Sequence, residues 1–213
     1  MAPSKSSIAA FWDAAADSFD QEADHGLADP RVRQAWATAL ASWLPAPPAE
    51  VVDLGCGTGS LALVLAEQGH RVVGVDLSQN MTERARRKLA DVNAWVVVGD
   101  AARPPLADHS VDVVLARHVL WTLPDPVAAL RRWITLCRKD GRLVLVEGRW
   151  ATAESDDYVD DHAALPWTGG VTARTLAAML RHHVSDLTVV PLTDPTLWGR
   201  DITDERYVII ATP

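Results

Sequence analysis

The chain alternates short apolar runs with longer amphipathic stretches that contain charged residues. Apolar runs of about four to eight residues that end in turn residues are typical of buried strands. These runs predict strands at Val51–Leu54, Arg71–Val75, Trp95–Val98, Val111–Ala116, Arg142–Glu147, Leu187–Val190 and Tyr207–Ala211.

The stretches between these runs have helical spacing of their apolar residues. Ser78, Asp125 and Thr172 are predicted N-caps, because a short side-chain oxygen can accept a hydrogen bond from the first helical turn. The predicted helices are Ser60–Gln68 and the segments from Ser78 to about Asp91, from Asp125 to about Cys137 and from Thr172 to about His182. Alternation of strands and helices predicts an α/β fold with a doubly wound, mostly parallel, seven-stranded sheet.

The N-terminal segment has a different pattern. Residues 8–44 have apolar residues at helical spacing, with a break at His25–Pro30. Pro45, Pro47 and Pro48 separate this segment from the first strand. We therefore expect residues 1–48 to form a helical cap on an α/β core of residues 49–213, within one domain.

Composition narrows the class of protein. The 213 residues carry a net charge of −8 and 48% hydrophobic residues, which disfavours general binding to nucleic acids or anionic membranes. The two cysteines suggest neither a disulfide framework nor a zinc site, and from the sequence we expect no signal peptide and no membrane-spanning run. We expect a cytoplasmic protein without a metal, and the basic cluster Arg84, Arg86, Arg87 and Lys88 is interpreted as a solvated helix face.

The stretch VVDLGCGTGS at Val51–Ser60 places three glycines directly after a strand. It lacks the lysine of a triphosphate-binding loop, and its glycine spacing differs from that of a dinucleotide-binding turn. Asp53 precedes the turn, where a carboxylate suits a cationic group better than a pyrophosphate. The turn therefore favours a nucleoside that carries an amino acid.

Two further acids end predicted strands. Asp76 follows the second strand, where an acid accepts hydrogen bonds from both hydroxyls of a ribose. Asp100 follows the third strand and is suited to accept the amino group of an adenine. Because parallel strands end at one edge of a sheet, these acids are expected to surround one crevice.

The segments VVDLGCGTGS, VVGVDLS and VVVGDAARPPLADHSVDVVLARHVLWTLPDP together resemble the class I S-adenosylmethionine-dependent methyltransferases. The resemblance extends over about Ala49–Glu147 and implies a Rossmann-like core with S-adenosylmethionine as cofactor. The N-terminal FWDAAADSFDQEADHG is similar to the cap helices of the family's small-molecule enzymes.

The resemblance also implies which residues contact the cofactor. Ribose would be held by Asp76, and the backbone of Arg117 would approach the methionine amino group. Relatives often have tyrosine where Phe19 stands, and Phe19 has no hydroxyl to donate to the methionine carboxylate. The implied contacts to the methionine part are Asp53, Gly55, Cys56 and Gly57, and those to adenine are Leu77, Asp100 and Ala101.

The implied reaction is an in-line displacement in which a nucleophile of the acceptor attacks the methyl carbon of a sulfonium. A general base is required only if the acceptor carries a proton. Candidate bases are His118, His25 and His162. His162 lies in the acidic stretch SDDYVDDH, where a metal site formed by Asp160, Asp161 and His162 is an alternative interpretation. Candidate residues of the acceptor pocket are Trp12, Trp121 and Trp167.

These observations predict a methyltransferase that acts on a small molecule. A protein or peptide acceptor remains open, and nucleic acid is disfavoured by the acidic charge. Two other classes are kept as alternatives: a non-catalytic protein that binds S-adenosylmethionine and a nicotinamide-dependent oxidoreductase. The acceptor, the methylated atom and the oligomeric state are left open.

Overall fold

The computed structural model describes residues 3–150, 158–159 and 162–213. Within these residues seven strands form one sheet in the order β3-β2-β1-β4-β5-β7-β6. Pairing is parallel from β3 to β5, and β7 runs antiparallel to both of its neighbours. The strands are β1 Glu50–Leu54, β2 Arg71–Asp76, β3 Ala94–Val98, β4 Val111–Arg117, β5 Cys137–Arg149, β6 Asp186–Pro191 and β7 Glu205–Thr212. The predicted doubly wound, mostly parallel sheet is confirmed.

Helices flank both faces of the sheet, and their predicted caps are present. Ser78 accepts a hydrogen bond from the Met81 amide at 3.0 Å, and Asp125 accepts one from the Ala128 amide at 2.9 Å. Thr172 caps its helix in the same way. The helices are α1 Lys5–Ala15, α2 Ala23–Gly26, α3 Pro30–Trp43, α4 Ser60–Glu67, α5 Gln79–Lys88, α6 Pro126–Leu136 and α7 Ala173–Leu180.

Strand β5 begins five residues before its predicted start at Arg142. Its pairing with β4 starts at Val111↔Cys137 and then shifts register to Val113↔Arg142. Between these pairs Arg138, Lys139 and Asp140 are exposed, and Asp140 has a φ of +64°, whereas Gly141 is buried. Because this extra segment is polar, the strand's first residues carry no apolar signal.

The cap segment has two parts with different neighbours. Helix α3 packs into the core, where the Trp36 indole N–H donates to the Leu197 carbonyl at 2.7 Å. Helix α1 instead lies beside α5, where the Asp13 carboxylate accepts hydrogen bonds from the Ser78 hydroxyl and the Asn80 amide. The first part of the cap therefore rests on the edge of the sheet where β2 ends.

The basic cluster on α5 is only partly a solvated face. Arg84 pairs with Asp17 of the cap. The Lys88 ammonium donates to Asp20 at 2.9 Å, to Thr58 at 2.9 Å and to Ser60 at 2.8 Å. Two of the four basic residues therefore join the cap to the core. No described helix is both long enough and apolar enough to cross a membrane.

Candidate functional site

The strand order reverses between β1 and β4, and the loops after β1, β2, β3 and β4 open into one cavity of about 490 Å³. Ligands of doubly wound sheets bind at this position, outside the carboxyl ends of the strands. We call the part bounded by the loops after β1, β2 and β3 the cofactor half. The part formed by the ends of β4 and β5 and by residues 198–206 is called the acceptor half.

The glycine turn requires its glycines. Gly55 has a φ of +68°, and a Cβ atom there would lie 2.4 Å from a methyl carbon of Val119. At Gly57, where φ is +53°, a Cβ atom would lie 3.2 Å from the Phe19 ring. Both positions therefore combine a left-handed backbone with close neighbours, which other residues fit poorly.

The amides of this turn are already used within the chain. Gly55 and Cys56 donate to the Val75 carbonyl at 2.7 and 3.2 Å. Gly57 donates to the Asp76 carboxylate at 2.8 Å. These amides are thus engaged and cannot cradle a phosphate as the backbone of a phosphate-binding loop does. This geometry agrees with the prediction that the glycine turn is not a triphosphate-binding loop.

Asp53 is a buried carboxylate on the wall of the cavity, with 3% of its surface exposed. It makes no hydrogen bond to the described residues. Burial raises the pKa of Asp53 to about 7; nearby Arg117 opposes this shift and Asp76 adds to it. An unpaired buried carboxylate of this kind fits a cationic ligand group, since an ammonium would compensate its buried charge.

Asp76 is held in a fixed orientation at the end of β2. One carboxylate oxygen accepts from Gly57, and the other accepts from the Ser78 amide at 2.9 Å. Burial raises the pKa of Asp76, while the Ser78 and Gly57 amides oppose the shift. Each carboxylate oxygen has a second lone pair available for a hydroxyl donor.

Asp100 follows β3 and faces two partners. One oxygen accepts from the Ala102 amide at 2.9 Å. The other lies 2.5 Å from the ammonium of Lys5 in the cap, whose side chain is 65% exposed. The Lys5 ammonium therefore occupies the position at Asp100 where the resemblance implies that an adenine amino group would bind.

Arg117 contributes a side chain to the site as well as a backbone. Its guanidinium carbon lies 4.9 Å from the centre of the Trp36 ring, and its Nη1 donates to the Asp24 carbonyl. Burial lowers the pKa of Arg117, and Asp24 and Asp53 oppose this effect. The side chain thus connects the floor of the cavity to the cap.

His118 begins the acceptor half with a backbone φ of +55°. Its ring lies 5.1 Å from the Trp150 ring and 5.8 Å from the Trp198 ring. Both ring nitrogens are buried and lack a hydrogen-bond partner among the described residues. Burial, together with the charges of Arg206 and Arg117, holds the pKa of His118 well below its usual value.

The other candidate bases differ in position. His25 lines the cavity and stacks on Phe19 with a ring separation of 4.3 Å. Burial and Arg117 lower the pKa of His25. The backbone of His162 lies in a 3-10 helix, His162–Ala164, and its side chain, like Asp160 and Asp161, falls outside what the structure describes.

The tryptophans also separate into two groups. Trp12 and Trp121 line the cavity, with ring centres 6.4 Å apart. Trp167 does not line it and instead packs, half-buried, against the core cluster that contains α6 and α7. The expectation that Trp167 belongs to the pocket is therefore corrected, because its apolar ring packs against this core cluster instead of lining the cavity.

The sequence interpretation missed four residues of the acceptor half: Trp150, Trp198, Arg206 and Glu147. Glu147 is fully buried at the end of β5. It accepts hydrogen bonds from the amides of Val119 and Leu120 at 3.1 and 3.0 Å. Burial raises the pKa of Glu147 to about 8, against the effect of these amides. The sequence signal that could have identified Glu147 is a charged residue inside the apolar strand LVLVEG.

The fold and the cavity define an α/β protein with a candidate ligand site at the carboxyl ends of its parallel strands. Residues 52–145 match the family described as a methyltransferase domain. This match, over a little under half of the chain, supports the predicted resemblance to the class I S-adenosylmethionine-dependent methyltransferases. S-adenosylmethionine is confirmed as the family's cofactor.

Similar proteins support the same family. The chain is 38% identical over 113 residues to a demethylmenaquinone methyltransferase of Beutenbergia cavernae, covering 53% of this chain and 46% of the relative. The chain spans about half the length of the first curated relatives that it matches.

Two solved structures have the same fold. A chain from a Haloferax volcanii complex of the Trm112 methyltransferase activator with a methyltransferase is 20% identical, with a TM-score of 0.74 and 97% of each chain covered. Phosphoethanolamine N-methyltransferase 2 of Haemonchus contortus, with S-adenosyl-L-methionine, is 18% identical, with a TM-score of 0.68 and 84% of this chain and 52% of that chain covered. At these identities the likeness shows the fold alone.

Proposed function

We propose that the protein transfers a methyl group from S-adenosylmethionine to a small-molecule acceptor. The observation that carries this proposal is the single cavity that joins three strand-end acids to an aromatic end. The small-molecule acceptor is further supported by the relative that is named a demethylmenaquinone methyltransferase.

In this proposal the acids bind the three polar parts of the cofactor. Asp53 binds the ammonium, since its buried carboxylate has no other partner among the described residues. Asp76 accepts the ribose hydroxyls, because its backbone contacts fix both oxygens. Asp100 accepts the adenine amino group once Lys5 moves aside.

The bound cofactor would supply an electrophilic methyl group on a sulfonium. The chain's own contribution is to align the acceptor and to exclude water. Trp12 and Trp121 provide apolar walls between the cap and the end of β4. His118 is held neutral, so a ring nitrogen of His118 can accept or donate a hydrogen bond without carrying charge.

The role of a general base is a separate proposal. His118 and His25 both line the cavity and are neutral at pH 7, as a base must be before it takes a proton. A strongly lowered pKa makes a weak base. We therefore assign His118 to hydrogen bonding with the acceptor and expect the acceptor's own acidity to govern its deprotonation.

Calorimetric titration with S-adenosylmethionine, S-adenosylhomocysteine and NAD tests the cofactor. We expect binding of the first two and none of NAD. Asp76→Asn should weaken binding about tenfold to a hundredfold, the scale of a lost hydrogen bond to a charged group. Asp186→Asn, at an exposed strand end away from the cavity, is the matched control.

Turnover needs its own measurement. Transfer of a labelled methyl group to a panel of small aromatic and aliphatic acceptors should give product in the presence of the wild-type protein. Cofactor binding without product from any acceptor would favour the non-catalytic alternative. Binding of NAD instead would contradict the proposal.

A further inference from the structure

In the acceptor half, the guanidinium group of one arginine makes cation–π contacts with two tryptophans. The guanidinium carbon of Arg206 lies 4.9 Å from the ring centre of Trp150 and 5.1 Å from that of Trp198. Its Nε and Nη2 atoms each donate to the Asp204 carboxylate at 2.8 Å. The Arg206 side chain is 8% exposed. Stacking and the two-point ion pair thus fix both the position and the plane of this cation.

One edge of the guanidinium remains available. Nη1 of Arg206 has no hydrogen-bond partner in residues 3–150, 158–159 and 162–213, while Arg206 is among the residues that line the cavity. Unlike lysine, arginine presents donors in a fixed fork, so an arginine held by Nε and Nη2 still directs Nη1 to a defined place. The free edge therefore offers a preoriented donor to a ligand.

The charges around the cavity are divided between its two halves. The carboxylates that line the cavity come from the cap and from β1, β2 and β3: Glu22, Asp24, Asp53, Asp76 and Asp100. The segment of residues 198–206 contributes Arg200 and Arg206 to the lining but no carboxylate. Aromatic rings often bind cations on their faces, but Arg206 already lies against the rings of Trp150 and Trp198. A cationic acceptor would therefore be repelled by Arg206 at this place.

We propose that Arg206 binds an anionic oxygen of the methyl acceptor and thereby selects planar acceptors that carry an acidic group. This inference rests on the proposed methyltransferase function. The planar part fits against the rings of Trp121, Trp150 and Trp198, and the anionic oxygen pairs with Nη1. The neutral ring of His118, beside Trp150, adds a hydrogen bond rather than a charge.

Matched probes test the selection without knowledge of the natural acceptor. Calorimetry with the full chain, saturated with S-adenosylhomocysteine, compares 2-naphthoate with neutral 2-naphthamide. A second pair compares 4-nitrophenolate with 4-nitroanisole above the pKa of the phenol. We expect at least one anion to bind about tenfold tighter than its neutral partner, as for a hydrogen bond to a charged group. The pair that responds identifies the acidic group as a carboxylate or an ionised hydroxyl.

Variants of Arg206 test whether this residue causes the preference for anionic acceptors. Arg206→Gln should remove the preference for the anion and leave the affinity for S-adenosylhomocysteine unchanged within about twofold, while Arg206→Lys should retain part of the preference. Exposed Arg181, changed to Gln, is the control. The inference is overturned if neither anion binds better than its partner in the wild type, or if Arg206→Gln keeps the preference. Failure of the proposed function would show earlier, as absence of S-adenosylhomocysteine binding.

Discussion

The two halves of the cavity are built in opposite ways. In the cofactor half the three candidate acids, Asp53, Asp76 and Asp100, each lie at or within a few residues of the end of one parallel strand. The acceptor half combines the ends of β4 and β5 with residues 198–206, which lead into the antiparallel strand β7. The first half is acidic and the second is aromatic and basic.

This difference follows from the topology of the sheet. Parallel strands all end at one edge, so a short motif after each strand reaches the same crevice. The antiparallel strand β7 enters the sheet from that edge, and the residues just before it can therefore face the crevice. Parallel strands thus supply the cofactor half, and the return of the chain into β7 supplies the acceptor half.

The largest expected effect concerns Glu147, which holds the turn of the acceptor half. Glu147 has its pKa raised to about 8, so the folded state keeps a proton that the unfolded state releases near its ordinary value of 4.5. The wild type should therefore lose free energy of unfolding as pH rises from 5 to 9. Glu147→Gln mimics the protonated acid, so its free energy of unfolding relative to wild type should rise by about 4 kcal/mol between pH 5 and pH 9.

Urea unfolding at pH 5 and pH 9 measures this difference. Exposed Glu83, changed to Gln, is the control and should show no such gain. A Glu147→Gln variant that follows the wild type at both pH values would mean that the carboxyl is ionised in the folded protein. In that case the acceptor half would hold a buried anion beside Arg206.

The next effect concerns the boundary between the two halves, where Gly55 meets Val119. Gly55→Ala places a methyl group 2.4 Å from a Val119 methyl carbon at a φ of +68°. Strain and overpacking should together lower the free energy of unfolding by about 3 kcal/mol. Gly69→Ala is the control, because its φ is +94° but its nearest neighbour is 3.5 Å away. Equal losses from both variants would remove the role of the Val119 contact.

The sequence was sufficient for most of the fold and for the placement of the cofactor half. Strands β1 to β4 and the caps at Ser78, Asp125 and Thr172 follow from local patterns, because burial and capping act within a few residues. The three acids could be placed together only because parallel strands share an edge. Their contacts with the cofactor are still predictions.

The acceptor half was predicted poorly for a physical reason. Trp198 and Arg206 lie far along the chain from His118, and only tertiary packing brings the three together. A tryptophan has the same local pattern in a core as in a pocket, which is why Trp167 was misplaced. Lys88 was misread because helical spacing shows a polar face but not what covers it.

A smaller effect is expected from Lys88, which links the cap to the cofactor half. Lys88→Met removes the donor to Asp20, Thr58 and Ser60. The free energy of unfolding should fall by about 1 to 2 kcal/mol, because the buried hydroxyls of Thr58 and Ser60 lose a donor, while half-buried Asp20 can still be hydrated. Exposed Arg87, changed to Met, provides the comparison in chemical unfolding. If both variants unfold at the same denaturant concentration, the cap is held by its apolar contacts alone.

The smallest effect concerns Lys5, which pairs with Asp100 in the cofactor half. The pair is 2.5 Å long, but the Lys5 side chain is 65% exposed, so solvent screens much of its energy. Lys5→Gln frees the carboxylate and should tighten S-adenosylmethionine binding by at most about threefold, which corresponds to a surface ion pair of less than about 1 kcal/mol. Calorimetry at low and high salt measures the change, and Lys139→Gln controls for the lost surface charge. Weaker binding in Lys5→Gln would instead mean that Lys5 closes over the bound cofactor, so that the cap belongs to the cofactor half rather than competing with its ligand.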